Sequence, residues 1–195
     1  MTSIAPRLSR PRLAPLDPPD WDPAVHQILD PGRRPDEFGD PAQPVFNVFR
    51  TLANYPAQMK RMSPWGNHLL FKSSLEPRVR EILILRTGWV CQAAYEWAHH
   101  EEIALTQAGV SPEDVEAVRR GRFDDPADQV LIDAVDELLR DRFIGQATWD
   151  GLAAKLATRQ LMDLVFTVGH YASMCMALNT FGVQLEPEYQ DGAGR

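Results

Sequence analysis

Two stretches of this sequence carry the side chains best suited to moving protons: Arg78-Val79-Arg80-Glu81-Ile82-Leu83-Ile84-Leu85-Arg86 and Cys91-Gln92-Ala93-Ala94-Tyr95-Glu96-Trp97-Ala98-His99-His100. Glu96 and His100 are four residues apart, so on a helix they share one face, where a carboxylate can orient an imidazole and raise its pKa. In helical projection Glu81 falls beside Ile84 and Leu85, a partly apolar setting in which a carboxyl holds its proton more tightly. Each group also has a purely structural reading. Glu96 and His100 can be a solvated helix face, and Glu81 can pair with Arg78 or another arginine. His99, rotated away from His100, can pack beside Tyr95. Spacing alone leaves these alternatives open.

Two other chemistries use the same residues. Glu96-x-x-His99 has the spacing found in helical di-iron sites, but such sites need a second Glu-x-x-His, and the chain has none. No metal ligand set is expected. Cys91 could act as a redox thiol, helped by His99 or Cys175, although a buried cysteine more often packs as a small hydrophobe.

These residues must be placed by helices. A helix signalled by Ser74 and Pro77 runs through Val79, Ile82, Leu83 and Leu85 toward Gly88, and the apolar run Ile82 to Leu85 predicts burial on nearly every side. The next helix spans roughly Gln92 to Ala108 and stops at Gly109, which tolerates positive φ. Ser111-Pro112-Glu113-Asp114 reads as a capped start. Another helix follows Pro126, with Val130, Leu131, Ala134, Val135, Leu138 and Leu139 on one stripe. Thr148 and Thr158 are candidate N-caps for two more, the second carrying Leu161, Leu164, Val165, Val168, Ala172, Cys175 and Leu178. Upstream, Phe46, Phe49, Leu52 and Ala53 share a face, and a second apolar run begins at Pro56 with Met59 and Met62, then Leu69 and Leu70 after Pro64.

No segment alternates with period two over a strand's length, so the expected fold is an all-α bundle. Ten of the sixteen prolines lie in the first 44 residues. Residues 1–43 therefore read as a proline-rich arm and residues 44–190 as the helical domain. Within the arm, Asp20 to Leu29 can form one short helix, and Trp21, Ile28, Leu29 and Phe38 are apolar anchors.

Composition narrows the function classes. A formal charge of −7 without a long Lys/Arg run argues against nucleic acid. No uninterrupted apolar stretch approaches the roughly 20 residues of a membrane span. The N-terminus has no signal-peptide core, and two cysteines build no disulfide framework, so a cytoplasmic location is expected.

The string REILILRTGWVCQAAYEWAHHEEIALTQAGVSPEDVEAV resembles the carboxymuconolactone decarboxylase and alkyl hydroperoxidase D-like family, in which an R-E-L-type helix precedes a Y-E-W-x-x-H helix and a glycine stop. The likeness is strongest from about Arg78 to Val118, and the run Gly169-His170-Tyr171 to Val183 resembles the last helix of longer members. It implies an all-helical bundle that assembles as a homo-oligomer, commonly a trimer or hexamer. In the alkyl hydroperoxidase D branch a glutamate is followed by a Cys-x-x-Cys pair and a histidine. That ruler, set on Glu81, lands on Ala93, Glu96 and His100, so the acid and the histidine are matched while both cysteines are replaced. Dithiol peroxidase turnover is accordingly expected to be absent or feeble.

The decarboxylase branch uses no cysteine pair, metal or organic cofactor. The resemblance thus implies a decarboxylase-like lyase acting on a small carboxylic acid or lactone without a cofactor. It gives His100 the proton transfer, Glu96 the orienting or charging of His100, and Glu81 the part of a second, positioning carboxyl. Cys91, Tyr95, Trp97 and His99 stand as pocket walls, second-layer residues or core. A thiol-dependent peroxidase and a non-catalytic oligomeric binding protein remain the alternative readings.

Overall fold

A helix buried on all sides needs neighbours on all sides, and the arrangement of this chain follows from that requirement. In a computed structural model, which describes residues 4–29 and 45–190, there are ten α-helices and no strand among those residues. In chain order they are α1 (Pro23–Leu29), α2 (Asn47–Leu52), α3 (Pro56–Asn67), α4 (Pro77–Val90), α5 (Ala94–Gln107), α6 (Pro112–Arg120), α7 (Pro126–Asp141), α8 (Gln146–Ala153), α9 (Thr158–Phe181) and α10 (Pro187–Gln190). The protein is all-α.

α4 is the centre. Glu81, Ile82, Leu83, Ile84 and Leu85 are buried in succession, which covers the whole helix circumference, and α5, α6, α7 and α9 pack around it. Two arginines two turns apart fasten one side of it. Arg78 bonds Asp114 of α6 at 3.0 Å and Asp128 of α7 at 2.8 Å. Arg86 forms two 2.7 Å bonds to Asp136 of α7 and donates to the Val118 carbonyl at 2.8 Å. Gly121, at φ 72°, ends α6 against this guanidinium, and a Cβ there would lie 2.6 Å from an Arg86 nitrogen. Arg86→Ala strands Asp136 and a backbone carbonyl, so a stability loss of about 2–3 kcal/mol is expected in chemical unfolding. A loss below about 0.5 kcal/mol, the range of an ordinary surface change, would contradict the clamp.

Local signals decide most boundaries. Ser111 and Asp114 form the reciprocal capping box expected from the sequence. Gly109 adopts φ 71° just beyond α5. Three expected start signals serve other ends. Ser74 donates to Asp163 of α9 at 2.7 Å, and α4 begins at Pro77 without a side-chain cap. Thr148 lies inside α8 and donates to Glu137 at 2.7 Å, while Thr158 is the first residue of α9 after Ala157. In each case a long-range carboxylate, or simple continuation of the helix, outcompetes the local cap. Pro64 does not break α3, which continues into a π turn at His68–Lys72.

The described part of the arm lies on the body. Trp21, Val25 and Leu29 form a small apolar cluster with Ala53 and Met59, against which Ile28 also packs. Further back, the Arg12 and Leu13 amides donate to the Phe181 carbonyl at 2.8 and 3.3 Å. Phe38 lies outside the described residues. α9 has an 18-residue window of mean hydropathy 1.4, apolar and long enough by composition to cross a membrane. In this fold its Leu161, Leu164, Val168, Cys175 and Leu178 are buried in the bundle.

Candidate acid/base site

The turn between α4 and α5 explains why distant residues meet. Cys91 caps α4, Gln92 takes a left-handed φ of 52°, and the Ala93 amide returns to the Gly88 carbonyl at 3.0 Å, so α5 runs back along α4. Glu81 stands ten residues before Cys91 and His100 nine after it, and equal rise along the two helices brings them level.

His100 Nδ1 lies 2.8 Å from Glu81 Oε2, and its Nε2 lies 3.2 Å from Glu96 Oε1 one turn earlier on α5. The other Glu81 oxygen accepts from Arg80 Nε at 3.1 Å. The Tyr171 ring of α9 stands edge-on to the imidazole at 5.1 Å. The Glu81 side chain is fully buried, whereas those of His100 and Glu96 each keep 9 % exposure. Burial, the largest single influence, disfavours the imidazolium, yet the charge and hydrogen bond of Glu81, helped by Glu96, outweigh it and raise His100 to about 10. At neutral pH His100 is therefore cationic, hydrogen-bonded to Glu81 through Nδ1 and paired with Glu96 at Nε2.

The neighbouring histidine belongs to a second cluster. His99 Nε2 lies 2.8 Å from Glu186 Oε2, with the rings of Tyr95 and Tyr189 at 4.4 and 4.1 Å from its own. The other Glu186 oxygen accepts from the Tyr95 hydroxyl at 2.7 Å and the Asn47 amide at 2.6 Å. Burial alone would raise the Glu186 carboxyl, but these donors, His99 foremost, hold it below the usual range. Glu96 and His99 thus face different partners, and among the described residues no group of His, Cys, Asp and Glu is arranged to hold a metal ion. Trp97 turns toward α6, its indole donating to Glu101 at 3.0 Å beneath the Arg119 guanidinium, 4.9 Å from the ring. Cys91 is half-buried in the α4–α5 turn, its carbonyl accepting from Asn179 of α9 at 3.0 Å.

The candidates Glu81, Glu96 and His100 therefore converge, while Tyr95 and His99 gather around Glu186. Sequence reasoning missed Arg80, Tyr171 and Glu186. Arg80 is adjacent to Glu81 in sequence, and adjacent helical residues do not normally face each other. Tyr171 sat in the Gly169-His170-Tyr171 run without an assigned role. For Glu186 the available signal was an acidic residue between Leu185 and Pro187.

Residues 56–138, which include all three converging groups, match the model of the carboxymuconolactone decarboxylase family. That stretch, somewhat under half of the chain, is similar to the family. Three solved structures share the fold of this chain along nearly its whole length. One is an uncharacterized peroxidase-related protein from Ralstonia eutropha JMP134, described as an alkylhydroperoxidase AhpD core. It is 17% identical, with a TM-score of 0.73 over 97% of this chain and 95% of that one. A peroxidase-related protein from Silicibacter sp. TM1040 has the same identity of 17% and TM-score of 0.73, over 93% and 96%. The debrominase Bmp8 in complex with 2,3,4-tribromopyrrole is 14% identical, with a TM-score of 0.73 over 95% and 98%. At these identities the likeness shows a common fold. No curated protein matches the sequence.

Proposed function

We propose that this protein is a cofactor-independent, decarboxylase-like lyase acting on a small carboxylic acid or lactone. The observation that carries the reading is a cationic imidazole held between two carboxylates from facing helices. On this proposal the roles of the two carboxylates are divided otherwise than the resemblance implies. Glu81, sealed and at the shorter distance, orients and charges His100 through Nδ1. Glu96 is longer-bonded at Nε2 and slightly exposed, so Nε2 is the nitrogen from which a proton can leave. Arg80, 14% exposed, carries further guanidinium donors suited to a carboxylate.

On this reading the bond to the carboxylate breaks, CO2 departs, and the electron pair enters a conjugated carbonyl or enol lactone. His100 then delivers its Nε2 proton to the carbon that becomes electron-rich. Fixed charges in a largely buried site favour that charge shift more strongly than water would. The test is CO2 release by chelator-treated protein from a panel of unsaturated and lactone carboxylic acids, with solvent deuterium entering the product carbon. CO2 release and labelling that disappear in His100→Ala support the reading. Saturable binding without either product points to the non-catalytic alternative.

The proposal includes a cytoplasmic homo-oligomer. Met162, Phe166 and Met176 are exposed along α9, and the Trp65 ring lies 5.5 Å from that of Phe166. Such apolar surface is suited to burial between subunits. Light scattering at micromolar concentration is expected to show more than one chain per particle, and a monomer contradicts this.

A further inference from the structure

A buried proton donor needs a way back to solvent. Once His100 has given up its Nε2 proton it is neutral, and both His100 and Glu96, the carboxylate at that nitrogen, are buried. A histidine outside the pair stands on the route outward. Tyr171 is edge-on to two imidazoles, its ring 5.1 Å from that of His100 and 5.3 Å from that of His170. Tyr171 is buried and His170 is half-buried, so the step from His100 to His170 across this ring is a step toward the surface.

Backbone shape seats the His170 ring. A Cβ at Gly66, in the last turn of α3, would lie 3.3 Å from His170 Nε2, so the bare glycine leaves the room that the imidazole fills. Among the described residues nothing hydrogen-bonds the His170 ring, and the second Glu96 oxygen likewise has no partner. Both are therefore open to a bridging water. Burial lowers His170 below its ordinary value, and Glu96, the charged group that acts on it, opposes this. Tyr171, held far above its ordinary value by burial, and the Gly66 backbone bring no charge to it. At pH 7 His170 is thus neutral and able to take up a proton.

We propose that His170 is a proton-relay residue, carrying protons between solvent and His100 through a bridging water and Glu96. After His100 delivers its proton to carbon, His170 takes one from solvent and passes it through the water to Glu96, which returns it to His100 Nε2. His170 and Glu96 end each cycle as they began, and one solvent proton is consumed for each one placed on carbon. The relay rests on His100 being the proton donor of the proposed lyase, but the exchange of that proton with water takes place without substrate.

The experiment uses this. In protein carrying histidine labelled with heavy nitrogen, NMR measures how fast the His100 Nε2 proton exchanges with water, the signal being assigned by its loss in His100→Ala. His170→Ala and His170→Gln should each slow the exchange by roughly 10²-fold, the lower end of what a positioned proton-transfer group contributes. Added imidazole should restore the rate in His170→Ala and leave the wild type unaffected, a response that a merely structural role would not give. In the wild type the rate should level off with rising pH once His170 is neutral, whereas exchange by hydroxide alone keeps climbing. The proposal is overturned by unchanged exchange in both variants, by slow exchange that imidazole does not restore, or by a wild-type rate that never levels. The wild-type pH profile decides the matter even if circular dichroism shows a variant to be poorly folded. Absence of CO2 release by the wild type would strike the lyase reading alone, because the exchange measurement does not use it.

Discussion

His100→Ala is expected to lower turnover by roughly 10²- to 10⁴-fold once a substrate is in hand, the usual contribution of a positioned proton-transfer group. The expectation rests on the imidazole having both ring nitrogens engaged, by Glu81 at 2.8 Å and Glu96 at 3.2 Å, so that no other group among these can deliver a proton from that position. Because the step needs imidazolium, the rate of the wild type should hold through neutral pH and fall as pH rises through about 10, where His100 loses its proton. The measurement is kcat/KM against pH, with circular dichroism confirming that the variant is folded. Equal rates in His100→Ala and wild type, or an unchanged alkaline limb, refute the role.

Removing the sealed carboxylate should have the largest effect on stability. Glu81→Ala leaves a buried imidazolium with Glu96 alone and deprives Arg80 of its partner, a type of change that costs about 3–5 kcal/mol. The pH dependence has a definite sign. His100 is raised from 6.5 to about 10, so its contribution to stability is complete below the unfolded value and is lost as pH climbs toward about 10. Urea unfolding should therefore show wild-type stability falling across that window and Glu81→Gln falling less, because the variant holds the proton less tightly. If the two proteins lose stability in parallel across the window, the His100–Glu81 linkage is not its source.

The parts of this site legible in the sequence are those set by local geometry. Glu96 and His100 are one turn apart, and a short turn between two helices makes Glu81 and His100 antiparallel neighbours. The apolar run Ile82 to Leu85 likewise announced burial on every side, and the capping box at Ser111 marked a helix start. What escaped depends on tertiary contacts. Asn179 meets the Cys91 carbonyl, and His99 meets Glu186, only because α9 and the segment after it fold back over the α4–α5 turn. The hydroxyls of Ser74 and Thr148 illustrate the same limit. Each has the chemistry of a cap, and each is claimed by a carboxylate distant in sequence.

The central position of α4 has a bearing on how the molecule breathes. Glu81 sits on the helix that α5, α6, α7 and α9 enclose, so its amide can reach solvent only when that whole surround parts. Amide hydrogen exchange along Glu81 to Leu85 should be governed by complete unfolding, while the arm around Trp21 opens through smaller, more frequent excursions. A pair formed on such a helix is preorganised for as long as the chain is folded. Partial denaturation should accordingly spare the Glu81–His100 geometry until the cooperative transition, and heat should abolish the two together.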